Sequence, residues 1–175
     1  MRTLVTGGAR SGKSTFAESV MGGGPVDYVA TGYPASAEDP DWADRVRRHQ
    51  ERRPAGWRTI ETLDVAGVLL ADGATPVLVD CVGLWLTRTA DELNAWSGIA
   101  EDALEARVSG LLDALSHTPR DVVLVTNEVG LGLVPDTASG RWFRDALGRL
   151  NVGLAERCDE VWLCVAGIPV PVKHG

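Results

Sequence analysis

The chain has 175 residues and a net charge of −7, with 45% hydrophobic and 23% charged residues. This length suits one domain with a substantial buried core, and the composition excludes disordered, fibrous and low-complexity proteins. The acidic balance argues against a nucleic-acid partner, since such proteins usually present a basic face, although a local arginine cluster could still form one.

Short runs rich in valine, isoleucine and leucine recur along the chain and predict buried strands, because they are apolar on both faces. These runs span residues 3–6, 26–30, 77–81, 122–126 and 161–166. A further segment, residues 58–62, alternates between apolar and polar side chains and predicts a strand nearer the edge of the sheet.

Segments with helical periodicity lie between these strands, at residues 13–21, 42–53, 65–71, 91–116 and 141–158. Alternating strands and helices predict right-handed crossovers and a mostly parallel sheet with helices on both faces. We therefore expect an α/β fold in a single domain, residues 1–175. Ligands of such sheets bind beyond the carboxyl ends of the strands, so the residues that follow each strand are the candidates for a site.

The sequence GGARSGKS, residues 7–14, fits the pattern G-x-x-x-x-G-K-[ST] between a predicted strand and a predicted helix. Glycines allow backbone N–H groups to surround phosphates, and the start of the helix adds the positive end of its dipole. We expect Lys13 to reach the outer phosphates and the Ser14 hydroxyl to bind Mg²⁺. The segment therefore predicts a P-loop and nucleotide binding.

A P-loop site also needs an acidic residue for the metal ion, usually at the end of a buried strand. Asp80 ends the predicted strand VLVD and suits this role, although polar residues often end strands without a function. Glu128, in the sequence TNEVG, also follows a buried strand. It is either a catalytic or metal-linked carboxylate or a residue that orders the adjacent glycine-rich loop.

The segment RRHQERRPAGW, residues 47–57, places His49 among four arginines. Asp39 and Pro40 predict the start of a helix and Pro54 its end, which gives a helix of about residues 40–53. At about 100° per residue, one stripe of this helix faces the protein body. The stripe consists of Trp42, Val46, His49 and Arg53, with Arg45 and Arg52 beside it.

Two interpretations of this cluster remain open from the residues alone. In the first, His49 lies at the margin of the core and the arginines form a solvated face with neighbouring carboxylates. In the second, His49 meets the phosphates of a nucleotide, and guanidinium groups surround the phosphate oxygens. Nearby positive charge would lower the pKa of His49 and keep the imidazole neutral and nucleophilic.

No apolar run reaches the roughly 18 residues that a membrane-spanning helix needs. Met1 leads into a polar, glycine-rich stretch, unlike a signal peptide, so we expect a cytoplasmic protein without a membrane span. Cys81, Cys158 and Cys164 lack the C-x-x-C spacing of zinc and redox sites and are expected to be buried free thiols.

These motifs together resemble the bifunctional adenosylcobinamide kinase / adenosylcobinamide-phosphate guanylyltransferase family. The resemblance covers nearly the whole chain, through LVTGGARSGKS, YVATGYP, RVRRHQERRPAGWRTIE, VLVDCVGLWLT, TNEVGLGLVPDT and VAGIPVPVK. The pattern H-x-x-x-R-P-x-x-W-x-T-x-E, followed by D-C-x-x-x-W, is far more specific than the P-loop. The chain departs from the family pattern at Gly32, Gly140 and Val152.

The resemblance implies a RecA-like P-loop fold, a homotrimer and two transferase activities in adenosylcobalamin (vitamin B12) biosynthesis. Its substrates would be adenosylcobinamide, adenosylcobinamide phosphate, GTP and ATP, with Mg²⁺ as cofactor. His49 would be the nucleophile that forms a GMP-histidine intermediate, and Lys13 would be catalytic with it. The implied metal ligands are Ser14 and Asp80. The implied nucleotide contacts are Gly7, Gly8, Ala9, Arg10, Ser11, Gly12, Lys13, Ser14, Thr31, Gly32, Tyr33, Gln50, Glu51, Arg52, Arg53, Glu61 and Asp80.

Two other functions fit part of the pattern. One is a simple P-loop kinase of a small molecule, without guanylyl transfer, in which His49 is structural. The other is a RecA-like ATPase or nucleotide-gated binding module, in which the arginines form a surface for nucleic acid or for a protein partner.

Overall fold

The computed structural model describes residues 1–97 and 100–174, and seven strands of this part form one sheet. In chain order the strands are β1 (Arg2–Gly7), β2 (Asp27–Ala30), β3 (Arg58–Glu61), β4 (Val77–Asp80), β5 (Val122–Val125), β6 (Glu160–Val165) and β7 (Ile168–Lys173). Their order across the sheet is β3-β2-β4-β5-β1-β6-β7. Every neighbouring pair is parallel except β6 and β7, which are antiparallel.

The helices are α1 (Lys13–Val20), α2 (Pro40–Arg52), α3 (Val65–Leu70), α4 (Val82–Leu93), α5 (Glu101–His117) and α6 (Ala138–Arg157), with a short 3-10 helix at Ala95–Ser97. Alternate residues of the central strands enter two apolar clusters on opposite faces of the sheet. Leu4 and Leu124 belong to the cluster that contains residues of α3 to α6, whereas Val5 and Val125 belong to the cluster beside α1. The predicted α/β, RecA-like P-loop architecture with helices on both faces is confirmed.

The predicted helix at residues 91–116 is wrong. The structure has α4 up to Leu93, a 3-10 turn, and α5 from Glu101, while residues 98 and 99 lie outside the described part. Asn94 ends α4 in the left-handed conformation, with φ of 53°, so the chain turns there. The start of α4 was missed because its apolar residues follow directly on the strand that ends at Asp80.

Two other boundaries differ from the expectation. The last helix begins at Ala138, before the predicted residue 141, because the Thr137 side chain accepts a hydrogen bond from the Gly140 amide and caps the first turn. Gly140 therefore belongs to the helix and does not interrupt it. Strand β7 was not predicted at all, since Pro169 and Pro171 disfavour a strand except at an edge, where β7 lies.

A buried ion pair joins two elements at the edge of the sheet where the strands begin. Asp27 and Arg120, each 4% exposed, form a hydrogen-bonded salt bridge, and Arg58 binds Asp27 from the solvent side at 2.8 Å. Arg120 also donates to the carbonyl oxygens of Thr75 and Val68, at 2.7 and 2.9 Å. This network is satisfied on all sides and lies at the opposite end of the strands from the P-loop.

Cys81, Cys158 and Cys164 are buried free thiols, as predicted. Across the described ranges, each helix is too short or too polar to cross a bilayer.

Candidate active site

The P-loop connects β1 to α1, as its sequence predicted. Gly12 precedes α1 with φ of 89°, a conformation that side chains disfavour, and a Cβ there would lie 3.0 Å from the Gly167 Cα atom. The Gly167 amide donates to the Ser11 carbonyl oxygen at 2.9 Å, so the turn between β6 and β7 packs directly on the loop. Lys13 donates from Nζ to the Gly8 carbonyl oxygen at 3.1 Å. Burial lowers the pKa of Lys13, and the nearby Asp80 carboxylate opposes this shift.

Asp80 ends β4 and meets groups from two other elements. One carboxylate oxygen, Oδ2, accepts a hydrogen bond from the Tyr28 hydroxyl at 2.8 Å. The same oxygen lies 3.6 Å from Nδ1 of His49. Tyr28 reaches Asp80 because β2 and β4 are neighbours in register, with Ala30 paired to Asp80. The carboxylate is therefore held on the side of α2, where the histidine lies.

Helix α2 has no fully buried residue, and side chains fasten both of its ends to the protein body. At its start, the Asp39 side chain caps the Trp42 amide at 2.9 Å, and the Trp42 indole N–H donates to the Tyr33 carbonyl oxygen at 2.9 Å. At its end, Arg52 pairs with Glu18 of α1 at 3.3 Å. The Arg53 guanidinium lies 3.6 Å above the centre of the Tyr28 ring. The helix thus spans the mouth of the site.

His49 faces inward from α2, and its side chain is 23% exposed. Burial lowers its pKa, Asp80 opposes this change, and the positive charges of Arg52, Arg45 and Arg53 lower the pKa further. The imidazole is consequently neutral at physiological pH. Nδ1 lies 3.5 Å from Nη2 of Arg52, which is a donor, and 3.6 Å from Oδ2 of Asp80, which is an acceptor.

Different arginines of the cluster agree with the two interpretations of the sequence, a solvated face and a phosphate-binding surface. Arg47 pairs with Asp44 and Glu51 on the outer side of α2, as a solvated face would. Arg45 and Arg52 line cavities next to His49 instead. Carboxylates therefore balance the charge on the outside of the helix, whereas on the inside Arg45 faces the cavities and Arg52 pairs with Glu18 at their edge.

Two adjoining cavities lie between α2 and the P-loop. The smaller, of about 190 Å³, has the apolar and aromatic side chains Tyr33, Trp42 and Leu84 in its wall. The larger, of about 940 Å³, has polar walls and contains the P-loop residues on one side and α2 on the other. Lys13, Ser14 and His49 line both. An apolar compartment joined to a basic one suits a nucleotide, and the phosphate-binding residues Lys13 and Ser14 lie where the two meet.

The structure brings together most of the sequence-predicted site residues but not all of them. The smaller cavity contains Lys13, Ser14, Gly32, Tyr33, His49, Gln50, Arg53, Glu61 and Asp80. The larger adds Arg10, Ser11, Gly12 and Arg52. Gly7, Gly8 and Ala9 form the start of the P-loop without lining either cavity. Thr31 is buried with its hydroxyl donating to the Cys81 carbonyl oxygen at 2.7 Å, and Glu51 points outward to Arg47.

The sequence left two roles open for Glu128, and in the structure this residue orders the adjacent loop. Its Oε1 atom accepts a hydrogen bond from the Gly130 amide at 2.7 Å, two residues further along the chain. Its backbone amide donates to the Gly7 carbonyl oxygen at 3.1 Å. Neither cavity includes Glu128 in its lining.

Sequence reasoning missed several residues that line or support the cavities, among them Tyr28, Glu18 and Asn127. Tyr28 lies inside a strand, and no local pattern indicates that its hydroxyl reaches Asp80. Glu18 is one turn beyond Ser14 on α1, and only the packing of α2 shows that it meets Arg52. Asn127 lines the smaller cavity and directly follows a strand segment, so the rule that singled out Asp80 would also have found it.

The residues present fit a bound Mg²⁺ ion. Ser14 and Asp80 line one cavity and offer hydroxyl and carboxylate oxygens, the ligands that Mg²⁺ prefers. Oδ2 of Asp80 is occupied by Tyr28, whereas Oδ1 accepts no hydrogen bond from any residue of the described ranges. Two protein ligands leave room for phosphate oxygens and water, as is usual for Mg²⁺ in nucleotide sites.

Comparisons with known proteins give a consistent result. A family model described as cobinamide kinase / cobinamide phosphate guanyltransferase matches residues 3–172. The chain is 41% identical to a protein of Salmonella typhimurium and 40% identical to a protein of Escherichia coli. Each alignment covers 99% of this chain and the whole of the relative, and both relatives are named bifunctional adenosylcobalamin biosynthesis protein CobU. It is also 41% identical to the bifunctional adenosylcobalamin biosynthesis protein CobP of Pseudomonas aeruginosa, over 99% of this chain and 98% of that protein.

Proposed function

The chain belongs to the cobinamide kinase / cobinamide phosphate guanyltransferase family, and we propose that it carries out both transfers in adenosylcobalamin biosynthesis. Its substrates are then adenosylcobinamide, adenosylcobinamide phosphate, ATP and GTP. The observation that carries the proposal is the position of His49, which faces the P-loop cavity beside Asp80 with the guanidinium groups of Arg45 and Arg52 in the same cavity wall. A family description that names both transfers favours this function over a simple kinase and over a nucleotide-gated module.

The first transfer phosphorylates the aminopropanol hydroxyl of adenosylcobinamide. The hydroxyl oxygen forms a bond to the γ-phosphorus of the nucleotide, the bond to the β-phosphate oxygen breaks, and a nucleoside diphosphate and a proton are released. Lys13 and the backbone amides of the P-loop orient the phosphates and balance their charge. Ser14 and Asp80 would hold Mg²⁺, which neutralises charge on the phosphate oxygens.

The second transfer uses His49. A ring nitrogen of the neutral imidazole attacks the α-phosphorus of GTP, the bond to the pyrophosphate oxygen breaks, and a GMP-histidine phosphoramidate forms. An oxygen of adenosylcobinamide phosphate then attacks the same phosphorus, the N–P bond breaks, and His49 is restored with release of adenosylcobinamide-GDP. The covalent intermediate divides one difficult displacement into two easier ones.

The positive groups on the inner side of α2 support this chemistry. Arg45 and Arg52 face the cavity, where guanidinium groups stabilise charge that develops on phosphorus oxygens and on departing pyrophosphate. Arg53 has its Nε atom buried without a hydrogen-bond partner among the described residues. An unsatisfied buried donor is costly, and a bound nucleotide would satisfy it. These features support nucleotide contacts for Arg52 and Arg53.

We propose a homotrimer located in the cytoplasm, where its nucleotide substrates are made. Exposed apolar residues on two segments support self-association. Ile168, Val170 and Val172 alternate along β7, and Leu131 and Leu133 lie on the loop after β5, with Leu133 97% exposed. Exposed apolar residues grouped in this way favour an interface with another protein chain.

Labelling with GTP tests the guanylyl transfer. The wild type, incubated with α-labelled GTP and Mg²⁺, should acquire an acid-labile, base-stable label, and His49→Asn should acquire none. His117→Asn is the matched control, because His117 is exposed on α5 and lies outside the cavity. Equal labelling of His49→Asn and the wild type would rule out the proposed nucleophile.

A second assay tests the kinase separately. With γ-labelled ATP and adenosylcobinamide, the wild type should produce labelled adenosylcobinamide phosphate. His49→Asn should retain this activity, because the histidine takes no part in the γ-phosphoryl transfer. A wild type that labels its histidine but never phosphorylates adenosylcobinamide would restrict the proposal to the guanylyl transfer.

A further inference from the structure

Asn127 lies at the end of the strand that separates the P-loop strand from the strand carrying Asp80. Val125 of β5 pairs with Val5 on one side and with Asp80 on the other. Beyond this point the Thr126 amide donates to the Val5 carbonyl oxygen at 2.9 Å, and the Glu128 amide donates to the Gly7 carbonyl oxygen at 3.1 Å. Asn127 is thus fixed between two backbone hydrogen bonds, one to β1 and one to the first residue of the P-loop.

Hydrogen bonds from α6 also hold the backbone at Asn127. Asn151 of α6 donates from Nδ2 to the Asn127 carbonyl oxygen at 3.0 Å, and its Oδ1 accepts from the Thr126 hydroxyl at 2.7 Å. These bonds involve backbone and neighbouring side chains only. The position of the Asn127 Cα atom is therefore determined without using its own side-chain amide.

The Asn127 side chain points into the catalytic cavity. It lines the same cavity as Lys13, Ser14 and Asp80. Its Nδ2 atom lies beside Gly83 at the start of α4, where an added Cβ would be in van der Waals contact with it at 3.6 Å. Within residues 1–97 and 100–174, no group hydrogen-bonds this amide. The backbone of Asn127 is held in place, and its side chain offers a donor and an acceptor in the cavity that Lys13, Ser14 and Asp80 also line.

We propose that Asn127 orients the terminal phosphate and the incoming hydroxyl in the phosphoryl transfer. This inference rests on the proposed function and adds a residue to it. The amide N–H donates to an oxygen of the terminal phosphate, and the amide oxygen accepts a hydrogen bond from the acceptor hydroxyl. One side chain then holds the attacking oxygen and the phosphorus in line, which is the main task of a protein in phosphoryl transfer. The amide itself exchanges no proton and forms no bond.

The same geometry separates Asn127 from the guanylyl transfer. The nucleophile of that step is His49, which is carried by a different element, α2, and lies 3.6 Å from Asp80. Removing the amide should therefore slow the two transfers unequally. A residue that only supports the fold or only binds the nucleotide would affect both to the same degree.

Asn127→Leu tests the proposal, since leucine keeps the size of asparagine and removes its polar atoms. We expect kcat for phosphorylation of adenosylcobinamide to fall about 10²-fold, the usual cost of removing one group that orients or stabilises the transition state, with KM for the nucleotide within about twofold. Single-turnover formation of the GMP-histidine should fall at least ten times less than phosphorylation. Asn127→Gln, which keeps the amide, should recover part of the lost kcat.

Two results for Asn127→Leu would overturn the proposal: an unchanged kcat for phosphorylation, or equal losses of rate in both transfers. A variant that fails to fold is replaced by Asn127→Ser, whose shorter side chain lacks the amide, and the same unequal loss is required of it. If the wild type itself phosphorylates no adenosylcobinamide, the proposed function fails, and that result is seen before any variant is measured.

Discussion

Tyr28 donates a hydrogen bond from its buried hydroxyl to the Asp80 oxygen that also lies nearest to His49. The contact joins two neighbouring strands of the sheet to the helix that carries the proposed nucleophile. Burial and the Asp80 charge both raise the pKa of Tyr28 far above its usual value, so the hydroxyl remains a donor at every working pH. Tyr28 therefore fixes the direction of the carboxylate permanently.

Tyr28→Phe should slow formation of the GMP-histidine by roughly 10-fold, because residues that orient a functional group from behind typically contribute 10–100-fold to activity. Without the hydroxyl, Asp80 can rotate away from His49. The rate of label incorporation from α-labelled GTP in a single turnover measures this effect. Unchanged labelling, combined with a loss of about 1 kcal/mol in stability, would show that the hydrogen bond is only structural.

The rate of GMP-histidine formation should rise with pH through the pKa of His49 and be level above it, because only the neutral imidazole attacks phosphorus. Burial places this pKa below the usual histidine value, and Arg52 lowers it further. Arg52→Gln should therefore move the rising limb to higher pH, and it should also lower the plateau. Arg47→Gln, which alters only the outer face of α2, should leave the limb in place. A limb that does not move in Arg52→Gln would contradict the electrostatic argument.

Asp27→Asn should destabilise the fold by about 3–5 kcal/mol, since it leaves the buried Arg120 charge without its partner. Urea unfolding followed by circular dichroism measures the change. Arg58→Gln is the matched control at the same carboxylate and should cost much less, because the Arg58 side chain is 70% exposed. The variant that stays folded should keep its activity, as this network lies at the far end of the strands from the cavity.

The pH dependence of stability follows from the same carboxylate. Burial alone would raise the pKa of Asp27, but hydrogen bonds from Arg58 and Arg120 outweigh burial and lower it. The contribution of Asp27 is consequently complete above the pKa of the unfolded carboxyl and is lost as pH falls through the lower pKa of the folded state. Unfolding of the wild type below this range should approach that of Asp27→Asn.

Gly32→Ala should weaken nucleotide binding at least about 5-fold, since overpacking costs about 1–3 kcal/mol. A Cβ on residue 32 would lie 2.8 Å from Cζ2 of Trp42, so the indole must move in the wall of the smaller cavity. Titration calorimetry with GTP measures the affinity. Gly56→Ala, where an added Cβ meets nothing within 4 Å, serves as the control. The double variant Gly32→Ala/Trp42→Phe should regain affinity, and a failure to do so would contradict the steric explanation.

Sequence patterns predicted the P-loop, the Asp39 cap and the inward stripe of α2. Each of these features is formed by residues close together in the chain. Asp80 was found because the carboxyl ends of parallel strands meet at one edge. The same rule also identifies Asn127 as a candidate, but Glu128, the charged residue next to it, was chosen instead.

The remainder depends on contacts between distant segments. Tyr28 meets Asp80 only because β2 and β4 are neighbours in register, and no pattern in either strand fixes that pairing. Strand β7 contradicts local propensity through its two prolines and forms because an edge position leaves their missing N–H groups facing away from a partner. The end of α4 at Asn94 likewise depends on a single left-handed residue inside a stretch with continuous helical periodicity.

The close packing of Gly167 on Gly12 has a consequence for recognising such proteins by motif. The hairpin of β6 and β7, about 155 residues beyond Gly12 in the chain, supplies the surface against which the phosphate-binding turn is shaped. A chain truncated before Gly167 would still contain every residue of GGARSGKS, and any search for that signature would score it as a nucleotide-binding protein. Its turn would nevertheless lack the neighbour that holds the Ser11 carbonyl group. The sequence motif would then be present without the loop conformation that binds phosphate.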